Sequence, residues 1–339
     1  MTVAAIVPHW NRRDLLAALL ESLSRQTRPF HHVIVADNGS TDDSAEFAEQ
    51  AGACVLRLGK NLGFAAAVNR GIEATRCDWV AILNNDVTLD AHWLARLLES
   101  AGLEQAAFAT GKILSSARRN LIDGCFDEIA RSGCAYRCGV ARADSPVWNQ
   151  PRRIRLAPMT AVLFRRSVFD RVGLLDERFE SYLEDVDFGI RCSVHGLGGI
   201  YNPEAVAYHR GSATLGQWNK DTVRRLSRNQ MYLRIKYLQA QPRWPVMVGQ
   251  LLWGLLAFRH GCFPAYLRGK IEGLRLSAEP NLRFPEQTAG QGLAYEQTWA
   301  PEAVRVLLEE SERTILDLQQ QTGFDLYWRL YFWLSRRSS

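Results

Sequence analysis

Polar side chains follow three apolar, strand-like runs in the first hundred residues. The first run ends in Pro8-His9-Trp10-Asn11, the second in Asp37-Asn38-Gly39-Ser40-Thr41-Asp42, and a later one in Asn84-Asn85-Asp86. Asp, Asn and Gly also suit ordinary turns, so each segment alone has a purely structural explanation. In an open parallel sheet, however, ligands bind beyond the carboxyl ends of the strands. We therefore predict that the three segments converge on one ligand site at one edge of a sheet.

Asp86 and His209 have the chemistry of metal ligands. Asp86 follows a wholly apolar strand, and Mg²⁺ or Mn²⁺ prefers one or two carboxylates plus substrate phosphate oxygens. His209 follows the strand-like run 205–208, and a neutral imidazole can complete a divalent-metal shell. The alternatives are that Asp86 caps a turn and that His209 is an ordinary residue at a strand end.

The segment 61–71, Asn-Leu-Gly-Phe-Ala-Ala-Ala-Val-Asn-Arg-Gly, joins a strand to a helix. Gly63 allows a ligand to approach the backbone closely, and a helix N-terminus favours a nearby anion. The segment is neither a Walker loop nor a GxGxxG fingerprint, so an ordinary helix start remains an alternative.

Glu184 and Asp185 are adjacent carboxylates at the predicted start of a helix, after the apolar and aromatic run 179–183. A helix N-terminus favours acidic residues in any protein, because its free N–H groups and dipole attract negative charge. The same position suits a general base that projects from a rigid element into a cleft. The residues alone leave both interpretations open.

The elements that must position these side chains alternate between strand and helix. Strands are predicted at 3–8, 32–36, 54–58 and 79–83, and helices at about 15–23, 40–50, 64–76 and from Asp90 to Gly102. Further strands are predicted at 159–164, 199–201 and 205–208, with helices at 167–172 and 184–195. This rhythm predicts an α/β fold with a mainly parallel sheet and helices on both faces.

After Gly211 the chain changes character and becomes helical. Helices are predicted at 220–239, 301–321 and 324–337, an apolar segment at 245–276, and a loop at 280–299. The last helix places Phe324, Tyr327, Trp328, Tyr331 and Leu334 on one side and Asp325, Arg329 and Arg336 on another. Such a helix lies at a membrane interface or packs on the rest of the protein or on a second subunit.

In order and spacing, these segments resemble the family 2 glycosyltransferases of GT-A fold, and especially their bacterial rhamnosyltransferase-like branch. The resemblance covers about residues 3 to 240. The segments that carry it are 7–12, 37–42, 61–64, 69–71, 83–87, 163–166, 173–179, 184–187, 209–212 and 228–232. It implies a GT-A catalytic domain at 1–215, with a donor half to about 105 and an acceptor half from about 106, followed by a helical region at 216–339.

The resemblance also implies roles for the site residues. Trp10 stacks on the nucleobase and Asp37 bonds its edge, while Asp86 and His209 hold the metal. Asn84 stands where the family often has the first Asp of its DxD motif, which leaves ribose contact as its expected role. Asp185 is the catalytic base, with Glu184 beside it. The other residues expected to line the nucleotide are Pro8, Asn11, Asn38, Asn61, Gly63, Phe64, Asn69 and Asn85.

The implied reaction is inverting transfer of a sugar from a UDP- or dTDP-sugar to an acceptor hydroxyl, in cell-surface polysaccharide or glycolipid assembly. The metal, Mn²⁺ or Mg²⁺, neutralises the leaving diphosphate. The alternatives are a nucleotidyltransferase acting on sugar phosphates and a non-catalytic nucleotide-sugar-binding protein. A nucleotidyltransferase is expected to carry a Gly-rich basic loop after its first strand, and residues 9–12 contain no glycine.

Composition excludes few classes of protein. The 339 residues are 47% hydrophobic and 23% charged, which is ordinary for a packed globular protein. A net charge of +5 suits an anionic substrate or an anionic membrane surface and is too small and dispersed to indicate nucleic acid binding. The seven cysteines form no CxxC pair; Cys125, Cys134 and Cys138 lie close enough in sequence for a zinc site, but reduced thiols are the preferred interpretation.

The first residues show no basic segment followed by a long apolar run, so no secretory signal is visible. The longest apolar stretch, 245–258, is shorter than the about 20 residues that span a bilayer as a helix. We therefore expect a cytoplasmic protein, either free or peripheral on the inner face of the membrane through its C-terminal helices, with a glycan or lipid-linked acceptor as its partner.

Overall fold

The structure, a computed structural model, describes residues 1–211, 218–276 and 301–335. The expected loop at 280–299, Ser212 and Arg336 lie outside these residues. The strands are β1 (Val3–His9), β2 (His32–Asp37), β3 (Cys54–Arg57), β4 (Trp79–Leu83), β5 (Val87–Leu89), β6 (Phe108–Ser115), β7 (Ile122–Gly124), β8 (Asp127–Ile129), β9 (Ala135–Arg137), β10 (Arg152–Ile154), β11 (Ala161–Arg165) and β12 (Gly199–His209).

The helices alternate with these strands and then succeed them. They are α1 (Arg13–Ser24), α2 (Ser44–Gln50), α3 (Phe64–Glu73), α4 (Trp93–Leu103), α5 (Arg166–Val172), α6 (Glu184–Val194), α7 (Lys220–Tyr237), α8 (Arg243–Arg259), α9 (Phe263–Leu276), α10 (Pro301–Thr322) and α11 (Leu326–Ser335).

One twisted sheet carries most of the strands. Its order is β10-β12-β6-β11-β4-β1-β2-β3, with β5 paired to β12 and β7 to β6. Along this path β3, β2, β1 and β4 are parallel, as are β6 and β12, whereas β11 runs antiparallel between β4 and β6. The predicted α/β class with a mainly parallel sheet is confirmed. The parallel order brings the ends of β1, β2 and β4 to the same edge.

Alternate residues of β1 show that helices cover both faces. Val3, Ala5 and Val7 join one buried cluster with the apolar residues of α1 and α4. Ile6 points the other way, onto α3, where a Cβ on Gly71 would lie 2.4 Å from Ile6 Cγ2. Strands that are buried on both faces read as continuous apolar runs, which is the pattern of β1 and β4.

Several predicted boundaries were wrong. The two strands predicted at 199–201 and 205–208 are one strand, β12, whose pairing with β6 shifts register between Asn202 and Val206. Pro203 lies in that irregular stretch and has no N–H to donate to the ladder. Helix α2 begins at Ser44 rather than at 40, because the preceding polar residues are used in turns; Ser40 N–H, for example, donates to Asp37 Oδ1 at 3.2 Å.

The described chain divides into two compact units. Unit 1 is Met1–Asp127 with Arg137–Ala213, and unit 2 is Glu128–Tyr136 with Thr214–Ser339. Unit 2 buries the aromatic side of its last helix: Trp328 lies edge-on to Tyr136 with 5.4 Å between ring centroids, and Tyr331 Oη donates to Glu312 Oε1 at 2.6 Å. Among residues 1–211, 218–276 and 301–335, no helix combines the length and the hydropathy needed to cross a membrane.

The close approach of β6 to β12 predicts a sharp steric effect at Gly111. A Cβ at this position would lie 1.7 Å from the carbonyl oxygen of Ala205, so Gly111→Ala should destabilise the protein by about 3 kcal/mol. Urea unfolding measures the change. Gly102 in α4 is the matched control, because no atom lies within 4 Å of its added Cβ; Gly102→Ala should stabilise by up to about 1 kcal/mol. Equal effects of the two substitutions would contradict the described packing.

Candidate active site

The imidazole of His209 lies between two carboxylates at the edge of the sheet. Its Nε2 is 3.1 Å from Asp86 Oδ1, and its Nδ1 is 2.8 Å from Asp123 Oδ2. His209 ends β12, Asp86 lies in the turn from β4 to β5, and Asp123 is in β7. The backbone fixes the same arrangement, since His209 is paired with Val87 and the N–H of Arg210 donates to Asp86 O at 3.0 Å.

The two carboxylates control the charge of this imidazole. Burial lowers the pKa of His209, but hydrogen bonds to Asp123 and Asp86 outweigh it and raise the pKa to about 9. Burial alone would raise the pKa of Asp123, but the bond to His209 holds it below its ordinary value. This pair of carboxylates therefore stabilises the protonated imidazole at neutral pH, and a cation that binds Nε2 must displace a proton.

The Asp86–His209 pair fits a divalent cation. Its two donor atoms are 3.1 Å apart, close to the about 3 Å between adjacent ligands of a Mg²⁺ shell with bonds of about 2.1 Å. Asp123 supplies the partner that a metal-binding imidazole normally has on its other nitrogen. Within the described residues no group of three or more His, Cys, Asp or Glu side chains is arranged to hold a metal. A cation here would thus depend on phosphate oxygens for its remaining ligands.

The ends of β1 and β2 are locked together. Asn11 Oδ1 accepts from Thr41 N–H at 2.8 Å, and Asn11 N–H donates to Ser40 Oγ at 2.8 Å. These bonds hold Asn11 at a positive φ of 54°. Trp10 lies next to this junction with 44% of its surface exposed, which is unusual for so large an aromatic side chain. A flat aromatic face is therefore available beside the buried carboxylate of Asp37.

Asn38 connects the end of β2 to the start of α3. Its Nδ2 donates to Asn61 Oδ1 and to Gly63 O, both at 3.1 Å, and its Oδ1 accepts from Leu62 N–H at 2.8 Å. Gly63 has a φ of +90°, and a Cβ there would lie 2.9 Å from Glu180 O. Glycine is thus required at position 63 on both counts. Phe64, half-buried, follows as the first residue of α3.

The structure places Asn69 away from the role expected for it. Its side chain is 2% exposed, and its amide makes a reciprocal pair with the backbone of Leu175, at 2.9 and 3.0 Å. Its Nδ2 also donates to Glu177 Oε1 at 3.0 Å. The donor and acceptor capacity of Asn69 is therefore used to hold the segment before α6, not to line a nucleotide.

Two buried polar atoms without protein partners lie near the end of β4. Asn84 Oδ1 and His9 Nε2 are both buried and make no hydrogen bond. His9 Nδ1 accepts from Asn85 Nδ2 at 3.0 Å, because burial lowers the pKa of His9 despite the nearby Asp37 and keeps the ring neutral. Pro8 precedes it in β1, paired with Ala36. Buried unpaired polar atoms are rare, and they favour a ligand at this edge.

Glu184 and Asp185 begin α6 after an unusual backbone. Glu180, Tyr182 and Leu183 all have positive φ values, between 60° and 73°, although none is glycine. Asp185 accepts hydrogen bonds from the N–H groups of Met159 and Val186. Left-handed conformations of such residues are strained and persist only where the surrounding structure fixes them. The strained lead-in therefore fixes the direction in which the Asp185 carboxylate projects.

Arg137 links the carboxylates near His209 to the carboxylate of Asp185 at the start of α6. Its Nη2 lies 3.8 Å from Asp185 Oδ2 and its Nε 3.4 Å from Asp127 Oδ1. Burial lowers the pKa of Arg137, but Asp127, Asp185 and Asp123 together raise it, so this guanidinium stays charged. Asp123 also bonds His209, so charged interactions through Asp123 and Arg137 connect Asp86 and His209 to Asp185.

Sequence reasoning missed Asp123, Asp127 and Arg137. They come from β7, β8 and β9, three-residue strands in a stretch without clear periodicity. The pairing of β8 with β9 brings Arg137 to Asp127, whereas β7, which carries Asp123, pairs with β6.

Burial raises the pKa values of the carboxyls around Arg137. Burial, and then the neighbouring charge of Asp185, raises the pKa of Glu184 well above its ordinary value. Burial raises the pKa of Asp185 as well, with Arg137 acting against it. Burial raises the pKa of Asp127 to about 7. Groups with displaced pKa values that meet in a cleft are typical of catalytic sites.

The cysteines are not part of this site. All seven are free thiols, and burial raises the pKa of Cys125 to about 12. The described residues show no cluster of Cys125, Cys134 and Cys138 that could hold zinc.

Comparison with known proteins relates the chain to a family. The sequence model for the family described as "Glycosyl transferase family 2" matches residues 4–122. An N-acetylglucosaminyl-diphospho-decaprenol L-rhamnosyltransferase from Mycobacterium tuberculosis is 31% identical over 226 residues, which cover 60% of this chain and 74% of that protein.

Two solved glycosyltransferase structures share the fold. GalNAc-T7 with UDP, GalNAc and Mn²⁺ has a TM-score of 0.58 at 14% identity, over 83% of this chain and 58% of that chain. The mannosyltransferase PcManGT from Pyrobaculum calidifontis, in complex with GDP-Man and Mn²⁺, has a TM-score of 0.51 at 14% identity, over 99% of this chain and 87% of that chain. Identities this low show the fold alone, which is GT-A.

The raised pKa of Asp127 predicts a pH-dependent stability. Between the ordinary Asp pKa of 3.8 and about 7 the folded protein keeps a proton on Asp127 that the unfolded chain has lost, so this group removes stability as the pH rises. Relative to wild type, Asp127→Asn should therefore gain a few kcal/mol between pH 4.5 and pH 7.5. Urea unfolding in chelator at both pH values measures it. The exposed Asp170→Asn is the control, and parallel behaviour of the two variants would contradict the assignment.

Proposed function

The chain belongs to the family 2 glycosyltransferases, and we propose that it moves a sugar from a nucleoside-diphosphate donor to a hydroxyl of a lipid-linked glycan during cell-surface glycan assembly. The observation that supports this proposal is the cluster of charged side chains in which Asp123 and Arg137 link the Asp86–His209 pair to the Asp185 carboxylate. The name of the mycobacterial relative, whose acceptor is decaprenol-linked, supports the choice of acceptor and of a rhamnose-like sugar.

The donor nucleotide would occupy the edge formed by β1, β2 and the start of α3. Trp10 offers an exposed ring for the base to stack on, and Asp37 offers carboxylate oxygens to the base edge. Asn84 Oδ1, which lacks a protein partner, suits the ribose hydroxyls. A pyrimidine donor of UDP or dTDP type is the proposed ligand. Asn38, Asn61 and Gly63 shape this edge through their mutual hydrogen bonds.

Asp86 and His209 would hold Mn²⁺ or Mg²⁺ together with the donor diphosphate. When bound, the cation supplies charge neutralisation for the leaving nucleoside diphosphate. Asp123 orients the His209 ring by accepting from Nδ1 and so presents Nε2 toward Asp86.

Asp185 would act as the general base of a single displacement. Its carboxylate accepts the proton of the acceptor hydroxyl while that oxygen forms the new bond to the anomeric carbon. The bond from that carbon to the diphosphate breaks on the opposite side, so configuration inverts. Arg137 opposes the burial that raises the pKa of Asp185 and so favours its carboxylate form. No covalent sugar–enzyme intermediate is required, and no nucleophilic Ser or Cys takes part.

A nucleotidyltransferase and a non-catalytic nucleotide-sugar-binding protein explain the site less well. The first is disfavoured because residues 9–12 contain no Gly-rich phosphate loop. The second has no need for a strained backbone that directs a buried carboxylate into the cleft, since the strain costs stability without improving donor binding.

Substitution of the two adjacent carboxyls separates their roles. Asp185→Asn should lower the rate of transfer by about 10³-fold while donor binding is kept, because only the proton acceptor is lost. Glu184→Gln is the matched control: burial raises the pKa of Glu184 well above its ordinary value, and an amide of the same size at this buried position should support transfer nearly as well. The assay is single-turnover transfer, with calorimetry for donor affinity. Normal turnover in Asp185→Asn, or equal loss in both variants, refutes the assignment.

The cation site predicts a graded response of Mn²⁺ affinity. In the presence of UDP, Asp86→Asn should weaken Mn²⁺ binding by about 100-fold and Asp123→Asn by about 10-fold, since Asp86 is a ligand and Asp123 only orients one. Electron paramagnetic resonance of free Mn²⁺ measures both constants. Asp43→Asn, an exposed carboxylate paired with Arg13, is the control. Unchanged affinity in Asp86→Asn, or full transfer in a chelator, contradicts the proposal.

A further inference from the structure

An apolar stripe runs along the outer side of α8 and α9. The side chains that form it are large, are between 36% and 69% exposed, and recur every three or four residues, which places those of each helix on one side. They are Met247, Leu251, Leu255 and Phe258 in α8, and Phe263, Leu267 and Ile271 in α9. Phe258 and Phe263 meet edge-on with 5.9 Å between ring centroids, so the two rows join at the turn. These seven residues are here called the hairpin face.

The opposite sides of the same helices are used in packing. Gly269 and Gly273 bring α9 so close to α7 that an added Cβ would lie 2.2 Å from Arg224 O and 2.6 Å from Met231 Cβ, respectively. In α8, Val248 and Leu252 are buried. One side of each helix is thus buried by packing within unit 2, and the hairpin face remains exposed. An exposed apolar surface of this extent marks an interaction site.

The segment that carries the hairpin face is rich in basic residues, of which Lys270 lies on the packed side and donates to Gln230 Oε1 at 3.1 Å. From Arg243 to Leu276 there are five basic residues and one acidic residue, so this segment carries nearly all of the chain's net charge of +5. The one acid, Glu272, is paired with Arg224 and Arg268 at 2.6 and 2.9 Å. Arg268 and Arg275 also line a hollow of about 470 Å³ on α9, with Leu267 and Ile271 beside them.

The positive charge of this segment favours one kind of binding partner for the hairpin face over another. A second copy of the chain bound through the same face would bring two basic segments together, and like charges oppose such an interface. An anionic lipid surface satisfies both properties, because leucine and phenylalanine enter the acyl boundary while arginine stays at the phosphate level.

We propose that the hairpin face docks on an anionic lipid bilayer and lies in its interface without crossing it. The sequence also led us to expect that residues 245–270 could lie at a membrane interface together with the aromatic helix at 324–337, and of these two segments the structure leaves an apolar side exposed at 245–270, because Trp328, Tyr331 and Phe332 of α11 are buried. The inference rests on the proposed function only for its purpose, which is to bring the enzyme to a lipid-linked acceptor. Docking itself requires no sugar transfer.

The test is co-sedimentation of the full chain with vesicles that contain neither donor nor acceptor. Wild type should pellet with phosphatidylcholine vesicles holding about 30 mol% phosphatidylglycerol, and much less with pure phosphatidylcholine or in high salt. The double variant Leu251→Gln with Leu267→Gln should lower the partition coefficient by about tenfold. Leu103→Gln, at an 80% exposed leucine of α4, is the control and should bind as wild type.

A second pair of double variants distinguishes the effect of charge beside the hairpin face from the effect of the protein's total charge. Arg259→Gln with Arg268→Gln should weaken binding to anionic vesicles by about tenfold, whereas Arg25→Gln with Arg153→Gln, on exposed arginines of unit 1, should not. Circular dichroism and the thermal midpoint verify folding of every variant. Wild-type pelleting by both hairpin variants overturns the proposal, as does a dimer that they dissociate without any vesicle binding. Transfer to a detergent-solubilised acceptor, measured in parallel, shows whether the proposed function fails independently.

Discussion

The buried imidazole of His209, bonded to a carboxylate on each nitrogen, is the interaction on which the site depends. It connects the end of β12 to the turn after β4 and to β7. His209 lies more than eighty residues from both Asp86 and Asp123 in sequence. Burying three ionisable groups is costly unless each is paired, and here every charge has a partner of opposite sign. The same pairing holds Asp86 and Nε2 at the spacing that a shared cation needs, so structural order and ligand binding have a common origin.

In the neighbouring acidic cluster, the negative charges are less completely compensated by positive charge. Asp127, Glu184 and Asp185 are buried near one guanidinium, that of Arg137, and the pKa values of all three carboxyls are raised. A protein selected for stability alone would replace such a cluster with apolar side chains. Such a cluster, beside a backbone in which three of the four residues before the helix have positive φ, is typical of a site that holds and moves a proton.

The sequence predicts well those features that are local and repeated. Apolar runs followed by Asn and Asp place Asp86 at a strand end, and the same logic places His209 and the start of α6. It cannot predict features that arise from long-range pairing. Arg137 and Asp127 meet because the short strands β8 and β9 pair with each other, and nothing in their spacing indicates it. Asn69 matches a family pattern, yet its buried amide is hydrogen-bonded to Leu175.

The amphipathic pattern of α11 does not reveal whether its apolar side contacts lipid or protein, and in the structure that side packs against protein. The exposed stripe of α8 and α9 is visible only once the packed sides of those helices are known.

The central claim is that one cleft holds a cation on Asp86 and His209 and faces the proton acceptor Asp185. Crystals grown with UDP and Mn²⁺ test it directly through anomalous scattering at the manganese edge. The account predicts one strong peak within about 2.5 Å of Asp86 Oδ1 and His209 Nε2, bridged to the diphosphate, with the open side of the cleft toward Asp185. Manganese bound elsewhere, with His209 still donating a proton to Asp86 beside a bound nucleotide, would contradict it.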